Sequence, residues 1–372
     1  VVPLVDHAQE TAEKLNQIDA QWVVIAEGLT WKIYPRVALG KLSGENIKKI
    51  SENHAGLILF SSGTSGNPKA MLQDFSNLLN TYESRHENSL TVLSLLGFDH
   101  IGGINTILGG LASGAAIVIP GSRAPEQVID VIKKARVTVL PATPTFLNLL
   151  LIAANHRLSD LASLRLITYG TEPMPETLLI RLRQSFPSVR LIQTFGTSET
   201  GILKTESPDV NTNFLKINDP NVEWKIVNNE LWLRTSTQIQ GYLNASNENF
   251  TADGWFKTGD KVEVGPNDTI RILGRTGEII NVGGEKLMPT EVESVILTVP
   301  GVVDCRVFGE KNALVGQAVV ADILPQVGQN WETLRALIRQ TCRQSLSTYK
   351  VPTRLNLVTA ISTNRLKKQR IS

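Results

Sequence analysis

The chain has 372 residues, which is enough for more than one domain. Apolar residues make up 42% and charged residues 19%, a balance typical of a globular protein, and the net charge is only +2. So small a net charge excludes attraction to nucleic acid or anionic membrane through the overall field of the molecule. Two cysteines exclude a disulfide framework, and no Cys/His cluster has metal-ligand spacing. We therefore expect a cytoplasmic protein.

The first ten residues include Asp6 and Glu10 and lack the basic-then-apolar pattern of a signal peptide. The chain does not begin with Met, so we expect it to be processed or trimmed. Residues 101–120 carry no charge and are long enough to cross a bilayer. The glycines in this stretch instead favour a buried helix at 104–111 and a buried strand at 115–119, so no membrane span is predicted.

Between about residues 55 and 200, short apolar runs alternate with helical patterns. This alternation predicts a mostly parallel sheet with helices on its faces, whose ligands bind in the loops after the carboxyl ends of the strands. The predicted strands lie at 56–60, 90–95, 115–119, 137–140, 164–169 and 190–194, and the predicted helices at 74–85, 104–111, 125–135 and 176–186.

After residue 220 the pattern changes to short strands and polar turns, and after Gly274 to mixed helices and strands. The predicted fold is α/β. A large N-terminal domain with mostly parallel sheets spans 1–274 and includes a small β-rich subdomain at about 220–274. A small, mobile α+β domain follows at 275–372. The predicted strands are 224–227, 230–234, 260–264, 269–273, 303–309, 318–323 and 354–357, and the helices 290–298 and 331–345.

Residues 61–69 read Ser-Ser-Gly-Thr-Ser-Gly-Asn-Pro-Lys, between a predicted strand and a predicted helix. Small hydroxylated residues and two glycines allow backbone N–H groups to close around phosphate oxygens, and Lys69 adds a mobile positive charge. The order of residues differs from that of a Walker A loop. A flexible surface loop is the alternative interpretation of this segment.

Residues 195–201 read Phe-Gly-Thr-Ser-Glu-Thr-Gly and follow another predicted strand. The Glu199 carboxylate beside hydroxyl groups suits a hydrated Mg²⁺ that arrives with nucleotide phosphates, and Phe195 is placed to stack on a base. The alternative is that Glu199 lies in the first turn of a helix, against the helix dipole. Asp260 ends the segment Gly-Trp-Phe-Lys-Thr-Gly-Asp and is able to accept both hydroxyls of a ribose, unless it is simply a turn residue.

Two further segments have glycines or positive charge. Residues 274–278 read Gly-Arg-Thr-Gly-Glu, and a joint of this composition can bend while its Arg275 reaches a phosphate. The tail at 365–370 reads Arg-Leu-Lys-Lys-Gln-Arg. On its own such a tail indicates a solvated end or a nucleic-acid patch.

The order of these motifs resembles the adenylate-forming superfamily of acyl-CoA synthetases, peptide-synthetase adenylation domains and beetle luciferases. Residues 61–70 are similar to the family loop Ser-Gly-Thr-Thr-Gly-x-Pro-Lys-Gly, with Ala70 in place of the last Gly. Residues 195–199 are similar to Tyr-Gly-x-Thr-Glu, and 251–260 to a segment that ends Gly-Trp-x-x-Thr-Gly-Asp. Residues 274–293 resemble the family's Gly-Arg joint. Residues 349–352 and the tail resemble the C-terminal Tyr-Lys-Val-Pro and Pro-x-Thr-x-x-Gly-Lys elements.

The resemblance implies two half-reactions at one site. A carboxylate attacks the α-phosphorus of ATP and forms acyl-AMP and pyrophosphate, and a thiol then takes the acyl group and releases AMP. The implied ligands are ATP, Mg²⁺, an aryl or fatty carboxylic acid, and coenzyme A, with a carrier-protein phosphopantetheine as the alternative thiol. Positioning and charge neutralisation are then the main tasks of the protein.

The resemblance also implies residue roles. Lys367, Glu199, Thr64 and His100 are the implied catalytic residues, with His100 beside the acyl pocket and Glu199 as the Mg²⁺ ligand. The other implied contacts are, for the β- and γ-phosphates, Ser62, Gly63, Thr64, Ser65, Gly66 and Lys69; for adenine, Gly170, Thr171, Glu172 and Pro173; for the α-phosphate motif, Phe195, Gly196, Thr197 and Ser198; for the ribose, Asp260 and Arg275; and for the thiol tunnel, Gly283 and Gly284.

The sequence departs from the family pattern at several places. Leu366 replaces the usual Gly before the tail Lys, and the adjacent Lys368 leaves a one-residue shift of register open. The phosphate loop begins at Ser61, so we expect a shortened N-terminal region. Gly277 is the expected hinge between the two half-reactions. The rival interpretations are a carrier-loading enzyme, a non-catalytic partner-binding relative and, less favoured because no aromatic platform accompanies the tail, a nucleic-acid-binding module.

Overall fold

A computed structural model describes residues 14–18, 20–27, 30–35, 54–61, 68–209, 212–364 and 366–370, and the structural statements below refer to these ranges. Within them, no helix combines the length and the apolar character that crossing a bilayer requires. The helix in the uncharged stretch runs only from Ile101 to Ala112 and is followed by the strand Ala116–Val118, as predicted.

A five-stranded, fully parallel sheet forms the centre of the large domain. Its strands lie in the order Ala116–Val118, Thr91–Leu93, Val139–Ala142, Leu166–Tyr169 and Arg190–Gln193. The associated helices are Ile101–Ala112, Pro125–Ala135, Pro144–Ala153 and Glu176–Ser185. Leu140, Ile167 and Phe146 are fully buried in the shared core. The predicted alternation of strands and helices is therefore confirmed, with strands that are shorter than expected.

The helix Pro144–Ala153 was not predicted from the sequence. Thr143 caps it, since its Oγ1 accepts the backbone N–H of Phe146 at 3.0 Å, and Pro144 follows in the first turn. Seven of its ten residues are buried, so the helix is apolar nearly all round. Such a helix has no amphipathic period for a sequence pattern to detect.

The predicted phosphate loop joins two antiparallel strands, Gly56–Phe60 and Ala70–Asp74. The prediction that a helix follows the loop directly is therefore wrong, because the strand Ala70–Asp74 lies between the loop and the helix Phe75–Asn80. All five residues of this strand are buried, and so the run lacks the alternation that marks a strand in sequence. Residues 62–67 lie outside the described ranges.

The β-rich subdomain is a four-stranded antiparallel sheet, as predicted. Its strands are Val222–Val227, Glu230–Thr235, Phe256–Val264 and Ile270–Arg275, in sequence order. The first hairpin turns at Asn228 and Asn229, whose φ angles of 51° and 60° suit a two-residue loop. Three separate two-stranded antiparallel sheets lie earlier in the chain: Gly196–Thr197 with Gly201–Ile202, Thr205–Glu206 with Lys216–Ile217, and Trp22–Glu27 with Thr30–Pro35.

The C-terminal part of the chain has its own sheet and its own core. The strand Gly316–Pro325 pairs antiparallel with Val302–Asn312 and parallel with Arg354–Leu357. The hairpin of Ile280–Val282 and Glu285–Leu287 joins the sheet where Val282 pairs with Gly316. Two helices, Pro289–Ile296 and Trp331–Ser345, cover it. All buried members of this core come from residues 280–355. The predicted α+β unit is confirmed, and the tail forms a small hairpin of Thr363–Asn364 with Lys367–Lys368.

Candidate functional site

One cleft lies at the carboxyl ends of Leu166–Tyr169 and Arg190–Gln193, where a parallel sheet is expected to bind its ligand. Loops from the parallel sheet, the β-rich subdomain and the tail meet there. Nine of the residues predicted from the sequence line this cleft: Gly170, Thr171, Glu172, Pro173, Phe195, Gly196, Asp260, Arg275 and Lys367.

The turn at 170–173 has a shape that its residues specify. A Cβ atom on Gly170 would lie 2.4 Å from the carbonyl oxygen of Thr194, so only glycine fits. Thr171 has a φ of 74°, a left-handed conformation that costs a β-branched residue on the order of 1–3 kcal/mol. Strained backbone of this kind tends to occur at ligand sites.

Asp260 and Arg275 are cross-strand neighbours in the β-rich sheet, and Arg275 Nε lies 2.7 Å from Asp260 Oδ1. Burial raises the pKa of Asp260 to about 6, although Arg275 acts in the opposite direction. The other carboxylate oxygen, Oδ2, is buried and has no hydrogen-bond partner among the residues that the structure describes. A buried, unpaired acceptor is costly unless a ligand supplies the donor. This oxygen therefore fits a ribose hydroxyl.

Glu199 lies in a tight turn between the short strands Gly196–Thr197 and Gly201–Ile202, so the alternative of a first helical turn is wrong. Tyr242 Oη donates to Glu199 Oε1 at 2.8 Å, and Lys69 Nζ lies 5.0 Å from the centroid of the Tyr242 ring. Burial, and then the Glu199 charge, raise the pKa of Tyr242 well above its usual value, so the phenol remains a donor. Tyr242 is a part of the site that the sequence motifs missed.

A carboxylate such as Glu199 is a suitable ligand for Mg²⁺, which usually takes only one or two protein carboxylates and keeps several waters. Its Oε1 is held by Tyr242, and Oε2 accepts no hydrogen bond from a described residue. Over the same ranges, no group of three or more His, Cys, Asp or Glu side chains is arranged to hold a metal. The donors present thus fit an ion carried mainly by phosphate oxygens.

Other predicted residues have more ordinary positions. Phe195 is only 9% exposed and packs with Leu203 and Leu231, so little of its ring faces the cleft. The Thr197 hydroxyl lies 3.0 Å from that of Thr200 and holds the turn together, and Ser198 is half-buried beside it. Stacking on a base and contact with the α-phosphate remain predictions.

Several predicted residues are not among those that line this cleft, namely Lys69, Thr197, Ser198, Glu199, His100, Gly283 and Gly284. His100 is the N-cap residue of the helix Ile101–Ala112, and its side chain makes no capping hydrogen bond. Gly283 and Gly284 form the exposed tip of the hairpin at 280–287, with φ angles of 61° and 96° that favour glycine. The predicted phosphate contacts Ser62, Gly63, Thr64, Ser65 and Gly66 lie outside the described residues.

The tail separates its two adjacent lysines. Both lysines line the cleft, but the Lys368 side chain is buried and tied to the C-terminal part, with its Nζ 2.6 Å from Asp304 Oδ1 and 2.7 Å from the carbonyl oxygen of Cys305. Burial alone would lower the pKa of Lys368. The charges of Glu293 and Asp304 outweigh this effect, so its pKa lies above the ordinary value for lysine. Lys368 is therefore a fixed structural cation. This arrangement favours the register in which Lys367 serves the site.

Arg370 is also buried and forms two hydrogen bonds with Glu293, at 3.0 and 2.9 Å. Lys368 and Arg370 are thus not part of a solvated end or a free basic patch, contrary to the simple interpretation of the tail's charge. The sequence contained one indication that a cation from elsewhere in the chain is buried here. Glu293 occupies a core-facing position of the helix Pro289–Ile296, and a buried acid requires a cation.

A larger cavity of about 750 Å³ separates the two parts of the chain. The helix Pro144–Ala153 lines one side and residues 297–304 line the other. Asn148 Nδ2 donates to the carbonyl oxygen of Val303 across it, at 3.3 Å. The two parts therefore meet at this place across a gap and not through a packed core.

Comparison with known proteins agrees with this geometry. The family model "AMP-binding enzyme" matches residues 2–243, and the model "AMP-binding enzyme C-terminal domain" matches residues 291–368. The chain belongs to the AMP-binding enzyme family. As a member of that family it has the predicted adenylate-forming fold, with the large parallel-sheet part followed by a separate C-terminal unit.

Curated relatives are 26–29% identical to this chain over the aligned residues. A 2-succinylbenzoate–CoA ligase of Enterococcus faecalis is 29% identical over 319 residues, which are 80% of this chain and 64% of the relative. The 4-coumarate–CoA ligase-like 9 of Arabidopsis thaliana is 26% identical over 343 residues, or 85% of this chain and 61% of the relative. The chain thus spans less than two thirds of the length of these relatives.

Solved structures show the same fold. The anthranilate CoA ligase AuaEII in complex with anthranoyl-AMP is similar with a TM-score of 0.72 and 22% identity, over 84% of this chain and 65% of that one. The o-succinylbenzoate CoA synthetase MenE of Bacillus subtilis, in complex with an acyl-adenylate intermediate, has a TM-score of 0.68 and 24% identity, over 84% and 67% of the two chains.

Proposed function

We propose that this protein is an AMP-forming acid–thiol ligase, which activates a carboxylic acid as acyl-AMP and transfers the acyl group to the thiol of coenzyme A. The observation that carries the proposal is the cleft in which Lys367, the turn at 170–173 and the unpaired Asp260 Oδ2 converge. A nucleoside with an activated phosphate needs an acceptor for its ribose, a shaped surface for its base and a cation beside the reacting oxygens. Asp260 Oδ2 supplies the acceptor, the turn at 170–173 supplies the surface, and Lys367 supplies the cation.

In this proposal Asp260 accepts the ribose hydroxyls, and Arg275 holds the Asp260 carboxylate by its other oxygen. The turn Gly170, Thr171, Glu172 and Pro173 borders the adenine. Lys69 and the loop at 62–66 neutralise the β- and γ-phosphates, and Glu199 binds the Mg²⁺ that accompanies them. That ion supplies charge neutralisation when bound. Lys367 stabilises the negative charge that develops as the acid attacks the α-phosphorus.

The second half-reaction requires the C-terminal domain at 275–372 to turn relative to the domain at 1–274. We propose Gly277 as the hinge, and Gly283 and Gly284 as part of the thiol tunnel after the turn. The location of Gly277 supports this, because it lies in an exposed turn at Thr276–Glu278, between the last strand of the β-rich sheet and the first strand of the C-terminal sheet. His100 is proposed to border the acyl group.

The acid is proposed to be aromatic. One of the relatives named above is a ligase of 2-succinylbenzoate, and the other is named as similar to a ligase of 4-coumarate. Fatty acids are the second class to test. The proposed thiol is coenzyme A because the relatives named above are CoA ligases or resemble one, and a carrier-protein phosphopantetheine presents the same reactive group.

The test is ATP-dependent trapping of acyl-AMP with hydroxylamine across a panel that includes 2-succinylbenzoate, 4-coumarate, anthranilate and saturated fatty acids. We expect pyrophosphate release that depends on both the acid and Mg²⁺, and a thioester when coenzyme A replaces hydroxylamine. A carrier protein bearing phosphopantetheine is the comparison thiol. Failure of the folded protein to bind ATP, or to form any hydroxamate, would contradict the proposal and favour a non-catalytic relative.

A further inference from the structure

The backbone of the tail is held on both sides of Lys367 by residues of the large domain. Thr143 Oγ1 donates to the carbonyl oxygen of Leu366 at 2.5 Å, and the N–H of Lys368 donates to Glu172 Oε2 at 3.3 Å. Fixing the group before and the group after a residue fixes the direction in which its side chain leaves the backbone. These two contacts therefore orient the Cα–Cβ bond of Lys367.

Thr143 and Glu172 form a connected unit. Glu172 Oε1 accepts the backbone N–H of Thr145 at 2.8 Å, so one carboxylate joins the first turn of the helix Pro144–Ala153 to the tail. Thr143 is fully buried, and its Oγ1 both caps this helix and donates to Leu366. Thr143 lies between Ala142 and Phe146, which are buried members of the parallel-sheet core, so the unit anchors the tail to that core.

Leu366 itself contributes to the seat. It has a φ of 63°, a conformation that glycine adopts without cost and leucine does not. Its side chain packs against the core cluster of the parallel sheet. An apolar contact with the large domain thus accompanies the strained backbone of Leu366, which replaces the usual Gly of the family pattern.

We infer that Thr143 and Glu172 are positioning residues that seat the tail on the large domain and thereby aim Lys367 into the nucleotide cleft for the first half-reaction only. The inference rests on the proposed function. Both contacts join the large domain to the tail. The side chains of Lys368 and Arg370, in contrast, bind the C-terminal part, so they travel with it. A turn of the C-terminal domain would therefore break the Thr143 and Glu172 contacts and leave those of Lys368 and Arg370 intact.

The test uses three variants of the full chain. Glu172→Gln has one acceptor oxygen for two backbone N–H groups, so one of them loses its partner. Thr143→Asp keeps an oxygen to cap the helix but has no proton for the carbonyl of Leu366. Thr143→Ser keeps both functions and is the matched control. Circular dichroism and thermal unfolding verify that each variant is folded.

Two measurements are made on each variant. Hydrogen exchange of the amides at 366–370 reports the seating of the tail directly and requires no activity. Single-turnover formation of acyl-AMP from ATP and 4-coumarate or 2-succinylbenzoate reports the first half-reaction. Transfer from pre-formed acyl-AMP to coenzyme A reports the second.

We expect Glu172→Gln and Thr143→Asp to exchange the tail amides faster and to form acyl-AMP about 3–10-fold more slowly, the effect of one lost hydrogen bond. Thiol transfer should remain within about twofold of the unmodified protein in Thr143→Asp, and Thr143→Ser should match the unmodified protein in every measurement. Glu172→Gln is judged by its tail exchange, because Glu172 also borders the proposed adenine site. A merely structural role would instead lower both half-reactions together.

Equal loss of both half-reactions in folded Thr143→Asp would overturn the inference, and so would unchanged tail exchange with unchanged adenylation. If the unmodified protein forms no acyl-AMP with either acid, the proposed function fails for those acids. The exchange data then decide alone: faster exchange of the Lys368 amide in Glu172→Gln supports the seat, and unchanged exchange refutes it.

Discussion

Asp260 is a carboxylate that is buried before any ligand arrives, and this makes its charge sensitive to pH. Burial raises its pKa to about 6. Because this value exceeds that of the unfolded chain, the ionised group costs stability above pH 6, and the cost disappears as the pH falls toward 4. The affinity for a ribose changes with pH in the opposite sense, since only the ionised carboxylate of Asp260 is a strong acceptor.

Adenosine, which has no phosphate to titrate, should therefore bind about 10-fold more weakly at pH 5 than at pH 7. Asp260→Asn should bind it weakly at both values, because the neutral amide never gains the charge. Calorimetric titration at the two pH values checks this. Equal pH dependence in the variant and the unmodified protein would mean that another group is responsible.

The adjacent tail lysines should have different mutational effects. Lys367→Ala is expected to slow acyl-AMP formation by about 10²–10³, because a preorganised cation beside developing charge is lost. Thiol transfer from pre-formed acyl-AMP should change little. The measurement is single-turnover kinetics of each half-reaction, and a larger loss in thiol transfer would contradict the assignment of Lys367 to adenylation.

Lys368→Ala should instead lower stability. It leaves the Asp304 carboxylate, whose side chain is 2% exposed, without its cation, at a cost of about 3–5 kcal/mol. Urea unfolding measures the change, and the double variant with Asp304→Asn should recover much of it because no unpaired charge then remains. An unchanged unfolding free energy in Lys368→Ala would show that this ion pair is dispensable.

At this scale the sequence predicted the cleft well and the tail contacts poorly. Asp260, Arg275 and the turn at 170–173 stand in motifs, where residue type and spacing indicate the chemistry. Thr143 stands in an apolar segment, and only the fold brings it to the tail. A contact between residues that are 223 positions apart leaves no local pattern in the sequence from which it could be predicted.

Among the elements, those with a clear period were predicted closely, and those buried on all sides were not. The helices Pro125–Ala135 and Trp331–Ser345 have an apolar stripe, and their predicted bounds match the structure. The helix Pro144–Ala153 and the strand Ala70–Asp74 are buried nearly all round, and both were missed. The missed strand changed the interpretation of the loop before it, which joins two strands and not a strand and a helix.

The turn at Thr276–Glu278 tests the hinge. Gly277 is exposed, its φ lies outside the left-handed region, and nothing lies within 4 Å of a Cβ added to it. Gly277→Ala should therefore be tolerated in this arrangement and is the control. Gly277→Pro fixes φ and should reduce one half-reaction much more than the other. Separate assays of the two half-reactions decide, and equal losses in a folded Gly277→Pro protein would argue against a hinge here.

On the scale of the whole molecule, the two cores are separate. The core at 280–355 shares no buried residue with the parallel-sheet core, and a cavity of about 750 Å³ lies between the two parts. Parts joined in this way are expected to open independently. The sequence indicated this division through its change of pattern near Gly274, but not the gap, because a cavity depends on how two surfaces fit.

Ile338→Ala should expose this independence. Ile338 is fully buried in the C-terminal core, and its truncation should cost that core about 2–5 kcal/mol. Hydrogen exchange should accelerate in Gly316–Pro325 and Trp331–Ser345 and stay unchanged in Val139–Ala142. Loss of protection in all three segments together would show that the molecule unfolds as a single cooperative unit.

The buried ion pairs of Lys368 and Arg370 have a consequence for the rate of turnover. Ordering a flexible five-residue segment such as 366–370 would cost on the order of 5–10 kcal/mol of conformational entropy each time it entered the site. Because Asp304 and Glu293 already hold these residues against the C-terminal sheet, that entropy is lost once, when the chain folds. Delivery of Lys367 to the cleft then requires only the motion of one preformed body, and the chemical cycle need not include a folding step.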